Sequence, residues 1–180
     1  MSENTCLGDY LLMHEGGGES REARFLRMLG EFGPSLDRLA AAYEADPAER
    51  DDLLQEISFA IWRALPSFRG ECSERTFVYR IAHNRGLTHR ARRRLRVAEP
   101  LESIDVMPDP GADPEQATIR SLTRERLQAA VRRLPEGARQ VVVLSLSGLG
   151  AGEIGEVLGI TENNAAVRLS RARRALKDLL

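Results

Sequence analysis

The sequence predicts an all-α chain folded as two small helical domains, and three observations carry that expectation. Apolar residues recur at i, i+3, i+4 and i+7 through most of the chain, and no stretch alternates apolar with polar residues as a half-buried strand does. An acidic, proline-rich stretch at 97–117, VAEPLESIDVMPDPGADPEQA, reads as a linker between a unit at 20–96 and a unit at 118–180. The closing stretch, 138–180, has the cadence of two short helices around a glycine turn.

The elements follow in order. Residues 1–19 hold Gly16, Gly17 and Gly18 and little periodicity, and read as a flexible tail. Phe25, Met28, Leu29 and Phe32 mark a helix, expected to break near Gly33-Pro34; Leu36, Leu39, Ala40 and Tyr43 mark another. Asp46-Pro47-Ala48-Glu49 is a helix start, with Asp as N-cap, Pro at N1 and Glu at N3. That helix is expected to reach about Leu65, with Leu53, Leu54, Ile57, Ile61 and Trp62 on its apolar side, and to stop at Pro66. After the loop SFRGECS, a helix should run from about Ser73 through Phe77, Val78, Ile81 and Ala82 into an arginine run ending at 96.

The second unit should begin near Thr118, with Leu127, Ala130, Val131 and Leu134 on one face and Pro135 as separator. In 151–158, Ile154, Val157 and Leu158 share a face, and Gly159 suits the left-handed position at a helix C-terminus. Thr161 can cap the last helix, with Glu162 in its first turn. Ala165, Leu169, Ala172, Leu176 and Leu179 form the core face of that helix; Asn163, Asn164, Arg168, Ser170, Arg171, Arg173, Arg174 and Lys177 lie opposite. This is a helix-turn-helix, whose second helix is shaped for a DNA major groove.

The same stretch contains a decoy. Val141–Leu144 resembles a buried strand, and Gly150-Ala-Gly152-Glu-Ile-Gly155 is a literal G-x-G-x-x-G, the dinucleotide fingerprint. A dinucleotide fold needs a second parallel strand and an acid about 20 residues on. A long amphipathic helix follows here instead.

Composition narrows the function. No apolar run approaches the ~20 residues of a membrane helix, and no basic-then-apolar leader opens the chain. Cys6 and Cys72, with His14, His83 and His89, offer no ligand spacing and no disulfide framework, so a cytoplasmic protein without metal or cofactor is expected. No nucleophile motif or phosphate loop appears, so no catalytic residue is assigned. The net charge of −1 hides an asymmetry: residues 80–96 and the last helix are basic, while the acids gather at 44–56 and 99–115. Local basic stripes are what attract phosphates.

Three stretches together resemble the extracytoplasmic-function sigma factors of bacterial RNA polymerase: ERDDLLQEISFAIWRALPSFRG at 49–70, RTFVYRIAHNRGLTHRARRR at 75–94, and LPEGARQVVVLSLSGLGAGEIGEVLGITENNAAVRLSRARRAL at 134–176. The first two resemble sigma region 2, the third region 4. The resemblance implies a transcription initiation factor that binds core polymerase at its β′ clamp and β flap and directs it to promoter DNA. The acidic segment Glu49, Asp51, Asp52, Leu53, Gln55 and Glu56 would dock on the β′ coiled coil, with Glu49 and Asp51 each replacing the family's usual acid by the other one.

Still by resemblance, Phe68, Arg69, Ser73, Arg75, Tyr79, Arg80, His83, Asn84 and Arg85 would open the −10 element and hold its non-template strand. Flipped-base capture needs apolar or stacking walls, polar atoms and cations, and this segment interleaves all three; the arginines of 90–96 suit phosphates upstream. Thr161, Asn163, Asn164, Arg168, Ser170 and Arg171 would read the −35 element; Asn and Arg pair bidentately with adenine and guanine. Ala166 stands where the family often has Lys, and Gly152 weakens its helix by about 1 kcal/mol relative to Ala. The linker is too short for a region 3 domain, and with no sensor domain in the chain an anti-sigma factor is the expected regulator. The alternative is a stand-alone helix-turn-helix regulator, which would need neither the acidic helix nor the aromatic-basic loop. A protein-only helical adaptor would not need the arginine faces.

Overall fold

The computed structural model describes residues 19–97 and 116–180. Among these there are seven α-helices and no strand: α1 Arg21–Tyr43, α2 Pro47–Ala64, a 3₁₀ turn Leu65–Ser67, α3 Glu74–Val97, α4 Gln116–Arg133, α5 Glu136–Leu146, α6 Ala151–Leu158 and α7 Glu162–Lys177. The proposed tail at 1–19 and linker at 97–117 fall almost wholly outside the described residues.

One expectation is corrected at once. The chain does not break at Gly33-Pro34; α1 runs through both as one helix. Proline disfavours a helical residue before it because its ring meets that residue's Cβ, and Gly33 has none. Met28, Phe32, Leu36 and Leu39, on both sides of the proline, are all buried on one face. Packing of that face offsets the one hydrogen bond that Pro34 cannot donate.

The other helix ends match their chemistry. Ser20 accepts from the Ala23 N–H at 3.1 Å. Asp46 accepts from Ala48 and Glu49 at 2.9 and 3.1 Å, with Pro47 at N1. Ser73 Oγ accepts from the Thr76 N–H at 3.0 Å, and Thr161 Oγ1 from the Asn164 N–H at 3.3 Å. Gly159 ends α6 at φ 67°.

Helices α1, α2 and α3 pack against one another; α5, α6 and α7 form the helix-turn-helix group, with α4 beside α5. The two groups are not separate bodies here. α6 lies on α3, and α4 and α5 lie on α1, so one core runs from Met28 and Leu53 through Val131 and Leu144 to Leu176. Two buried polar groups hold the helix ends in place. Glu44, fully buried, accepts from the Ala45 and Asp46 N–H groups at 2.7 and 2.9 Å, and pairs with His89 Nε2 at 3.2 Å and with Arg93. Burial would raise its carboxyl; the Asp46 N–H, Arg93 and His89 outweigh that and hold it below the usual carboxylate value. Arg139, also buried, donates to the carbonyls of Val131, Arg132 and Leu134 at the end of α4, where a helix leaves acceptors short of partners. Gly86 lets α3 approach α1: a Cβ there would lie 2.6 Å from the Tyr43 ring.

Candidate nucleic-acid interface

Three surfaces carry the residues singled out in the sequence. On α2, Asp51, Asp52 and Gln55 are exposed and Glu49 and Glu56 half-buried. Helical spacing puts Asp52, Gln55, Glu56 and the exposed Phe59 on one stripe. Leu53 is different. It is fully buried in the core, so it supports the helix from behind and has no surface to offer a partner.

The second surface is the 68–73 loop with α3. The Phe68 and Phe77 rings stand 4.6 Å apart, tilted against each other. Arg24 lies over the Phe68 ring at 4.8 Å and donates to Glu74 at 2.6 and 2.8 Å. Arg27 grips the same carboxylate at 2.9 Å, so the first turn of α3 is tied to α1. These donors, Arg27 foremost, hold the Glu74 carboxyl low. Beside the rings, Arg69, Ser73, Arg80 and Asn84 are exposed and Arg75 and Arg85 half-buried. Phe68, Arg69, Cys72, Phe77 and Arg80 line an open pocket, which Glu156 of α6 closes on one side.

Two residues expected here point the other way. Tyr79 is buried, edge-on to Phe32 with centroids 6.2 Å apart. His83 is buried and shares a 2.8 Å hydrogen bond through Nδ1 with the Tyr43 hydroxyl. Burial pushes the His83 imidazole down to about 4, so it is neutral near pH 7 and adds no cation for a phosphate. Both lie on the α3 face turned to α1, each next in sequence to an exposed residue, Arg80 or Asn84, about 100° further round the helix. The arginine run is partly engaged: Arg92 meets Glu56 at 3.3 Å, Arg94 meets Glu136 at 3.4 Å, and Arg93 serves Glu44.

The third surface is α7. Thr161, Asn163, Asn164, Arg168, Ser170 and Arg171 are all exposed. Asn164 Oδ1 accepts from Arg168 Nε at 2.9 Å, which orients both side chains. Val167 sits between them on the same face, 42 % exposed; an apolar group there can meet a thymine methyl. Sequence reasoning passed over Val167, although a lone apolar residue inside an arginine-asparagine face was visible. It also missed Arg24 and Arg27, whose partner Glu74 is far away in the chain. Among the described residues, no cluster of His, Cys, Asp and Glu could hold a metal, and no helix is long and apolar enough to cross a membrane.

Fold and surfaces define a helical DNA-binding protein in which a helix-turn-helix packs beside an aromatic-cationic loop. Residues 28–96 match the family described as Sigma-70 region 2, and residues 124–176 match Sigma-70, region 4. The chain is 30% identical to the ECF RNA polymerase sigma factor SigM of Mycobacterium tuberculosis, over 81% of this chain and 71% of that protein. It is 28% identical to the RNA polymerase sigma factor CnrH of Cupriavidus metallidurans, over 96% of this chain and 94% of the other. The solved structure of CnrH with the cytosolic domain of CnrY superposes with a TM-score of 0.65 at 25% identity, covering 89% of this chain and 88% of that one. The chain belongs to the extracytoplasmic-function sigma factors of RNA polymerase, which are transcription initiation factors.

Proposed function

We propose that this chain recruits core RNA polymerase through the exposed stripe of α2, reads −35 duplex DNA with α7, and opens and holds −10 DNA with the 68–73 loop and α3. In this reading residues 20–96 and 118–180 work as two units. The β′ clamp meets Asp51, Asp52, Gln55 and Glu56, an acidic face suited to a basic partner helix. The β flap engages the C-terminal unit, the polymerase does the chemistry, the factor acts in the cytoplasm, and an anti-sigma protein regulates it, as CnrY is bound to CnrH in that complex.

The observation that supports this division most directly is the different make of the two basic surfaces. α7 offers a regular face of Asn164, Arg168 and Arg171 with no aromatic ring, the shape and chemistry of base-edge reading in a major groove. The loop and α3 set the Phe68–Phe77 pair beside Arg69, Arg80 and Asn84, which suits an unstacked base and its phosphates. A stand-alone regulator needs only the first of these. Run-off transcription with purified core polymerase over a genomic promoter library tests the reading. Defined transcripts that require both the chain and core are expected; their absence, with a folded chain and active core, overturns it.

A further inference from the structure

One guanidinium holds both ends of the 68–73 loop. Arg24 of α1 lays its face over the Phe68 ring, 4.8 Å from the centroid, and turns its edge to Glu74, the first residue of α3. Its Nε and Nη2 both donate to Glu74 Oε1, at 2.8 and 2.6 Å. Arg27, one turn along α1, donates to the same carboxylate through Nη1 and Nη2 at 2.9 and 3.1 Å. Glu19 in turn accepts from Arg27 at 2.8 and 2.9 Å. The loop depends on such anchors. Among the described residues no backbone-to-backbone hydrogen bond starts or ends in 69–72, and Gly70 turns the chain at φ 75°. Side chains at its two ends therefore set its shape: the Arg24–Phe68 stack and the Phe68–Phe77 pair at one, Ser73 and Glu74 at the other. α1 is a fixed reference for them, because Met28, Phe32 and Leu36 are buried in the core.

We propose that Arg24 is a positioning residue for −10 strand capture: it fixes the Phe68 ring and closes the 68–74 segment against α1, so that an unstacked base meets a loop already formed. The proposal rests on the reading of the 68–73 loop as the strand-capturing element. A guanidinium suits the task because it is planar: its face stacks on a ring while its edge donates two hydrogen bonds to a carboxylate, which a lysine ammonium cannot do together. A loop that must order as it binds loses affinity for every side chain it immobilises, and fixing it beforehand removes that loss. Exposure decides where the effect shows. The Arg24 and Glu74 side chains are 31 and 26 % exposed, so their pair adds little to global stability. Without it the loop opens locally while the packed core of α1, α2 and α3 persists. Loss of Arg24 therefore shows in strand capture and not in folding.

The test uses the full chain with core polymerase on a promoter taken from the run-off library. Arg24→Gln removes both the stack and the ion pair; Glu74→Gln leaves Arg24 in place and takes away its anchor. Arg21→Gln is the control, because Arg21 makes the same kinds of contact from the same helix but to Trp62, 3.8 Å from the ring centroid and 2.6 Å from the carbonyl oxygen. The readouts are the rate of −10 permanganate reactivity, closed-complex affinity, and amide hydrogen exchange of 68–73 in the free chain. A formed loop populated a tenth of the time weakens capture about tenfold. Arg24→Gln and Glu74→Gln should therefore slow opening roughly tenfold, leave closed-complex affinity unchanged and speed exchange in the loop, while Arg21→Gln matches the parent in all three. Since Arg24 acts through Phe68, adding Arg24→Gln to Phe68→Ala should slow opening no further. Opening at the parental rate by either folded variant, an equal loss in Arg21→Gln, or a full further loss in the Phe68→Ala background overturns the proposal. Should glycines in place of 68–73 open the promoter as the parent does, the strand-capture reading falls and the proposal with it. Should they fail to open it while Arg24→Gln succeeds, only the Arg24 proposal falls.

Discussion

Gly155 in α6 faces the backbone of Ile160 so closely that a Cβ on it would lie 2.7 Å from the Ile160 carbonyl oxygen. The Ile160 N–H meanwhile donates to the Gly155 carbonyl at 2.9 Å. The turn between α6 and α7 thus closes on bare backbone, which cannot move aside as a flexible side chain would. Gly155→Ala should destabilise the chain by about 1–3 kcal/mol, since overpacking outweighs the helix propensity gained. Urea unfolding measures it; an unchanged midpoint would refute the packing account.

Gly152, one turn earlier, should show the opposite sign. A Cβ there would sit 3.8 Å from the Glu162 side chain, ordinary contact distance. Gly152→Ala should stabilise by roughly 0.5–1 kcal/mol through helix propensity alone. The same denaturation series separates the two glycines, and a destabilised Gly152→Ala would contradict the geometry.

His83 predicts a pH dependence. Burial lowers its folded value to about 4 from an ordinary 6.5, so between these limits the unfolded chain binds a proton that the folded chain refuses. Stability from this group is fully present above about pH 6.5 and falls as pH drops toward 4, by on the order of 3 kcal/mol. His83→Gln keeps a partner for the Tyr43 hydroxyl and should flatten that slope. Urea midpoints at several pH values between 6.5 and 4.5 decide it; equal slopes in parent and variant would remove His83 as the cause. Glu44 loses its contribution at lower pH, because its carboxyl is held below the usual 4.5.

Asp52→Arg with Gln55→Ala should weaken binding to core polymerase at least tenfold while the helix content is kept, because both side chains are exposed on α2 and neither supports the core. Leu53→Ala should act differently. That residue is fully buried, and its truncation should cost about 2–5 kcal/mol of stability. Affinity of the folded double variant for core, measured by surface-immobilised titration, should show the loss; parental affinity would exclude the stripe.

Much of this was legible in the sequence. Asp46-Pro47, Thr161 and Gly159 announced their caps because capping is local chemistry, and the core face of α7 followed from its spacing. The G-x-G-x-x-G decoy fell because its surroundings were helical, and the glycine at 155 has a packing reason of its own. Where reading failed, the cause was tertiary. Pro34 stays helical because Gly33 precedes it and the core holds both flanks. Tyr79 and His83 look like strand contacts in an Arg-Asn run, yet the side of α3 they occupy is set by α1. The contacts of Arg75 with Ser147 and of Arg80 with Glu156 depend on residues more than seventy positions away, which no window could reveal.

The most direct test of the two-surface account is permanganate reactivity of thymines on a promoter taken from the run-off library, with core polymerase and either the parent chain or a variant. Asn164→Ala and Arg171→Ala should each relax −35 sequence preference by about 1–3 kcal/mol and leave opening intact on a pre-opened bubble. Asn84→Ala, or glycines in place of 68–73, should leave closed-complex binding largely intact and abolish the −10 permanganate signal. A loop variant that opens the promoter as well as the parent does, or α7 variants that block melting on the bubble, would contradict the assignment of duplex reading to α7 and strand capture to the loop and α3.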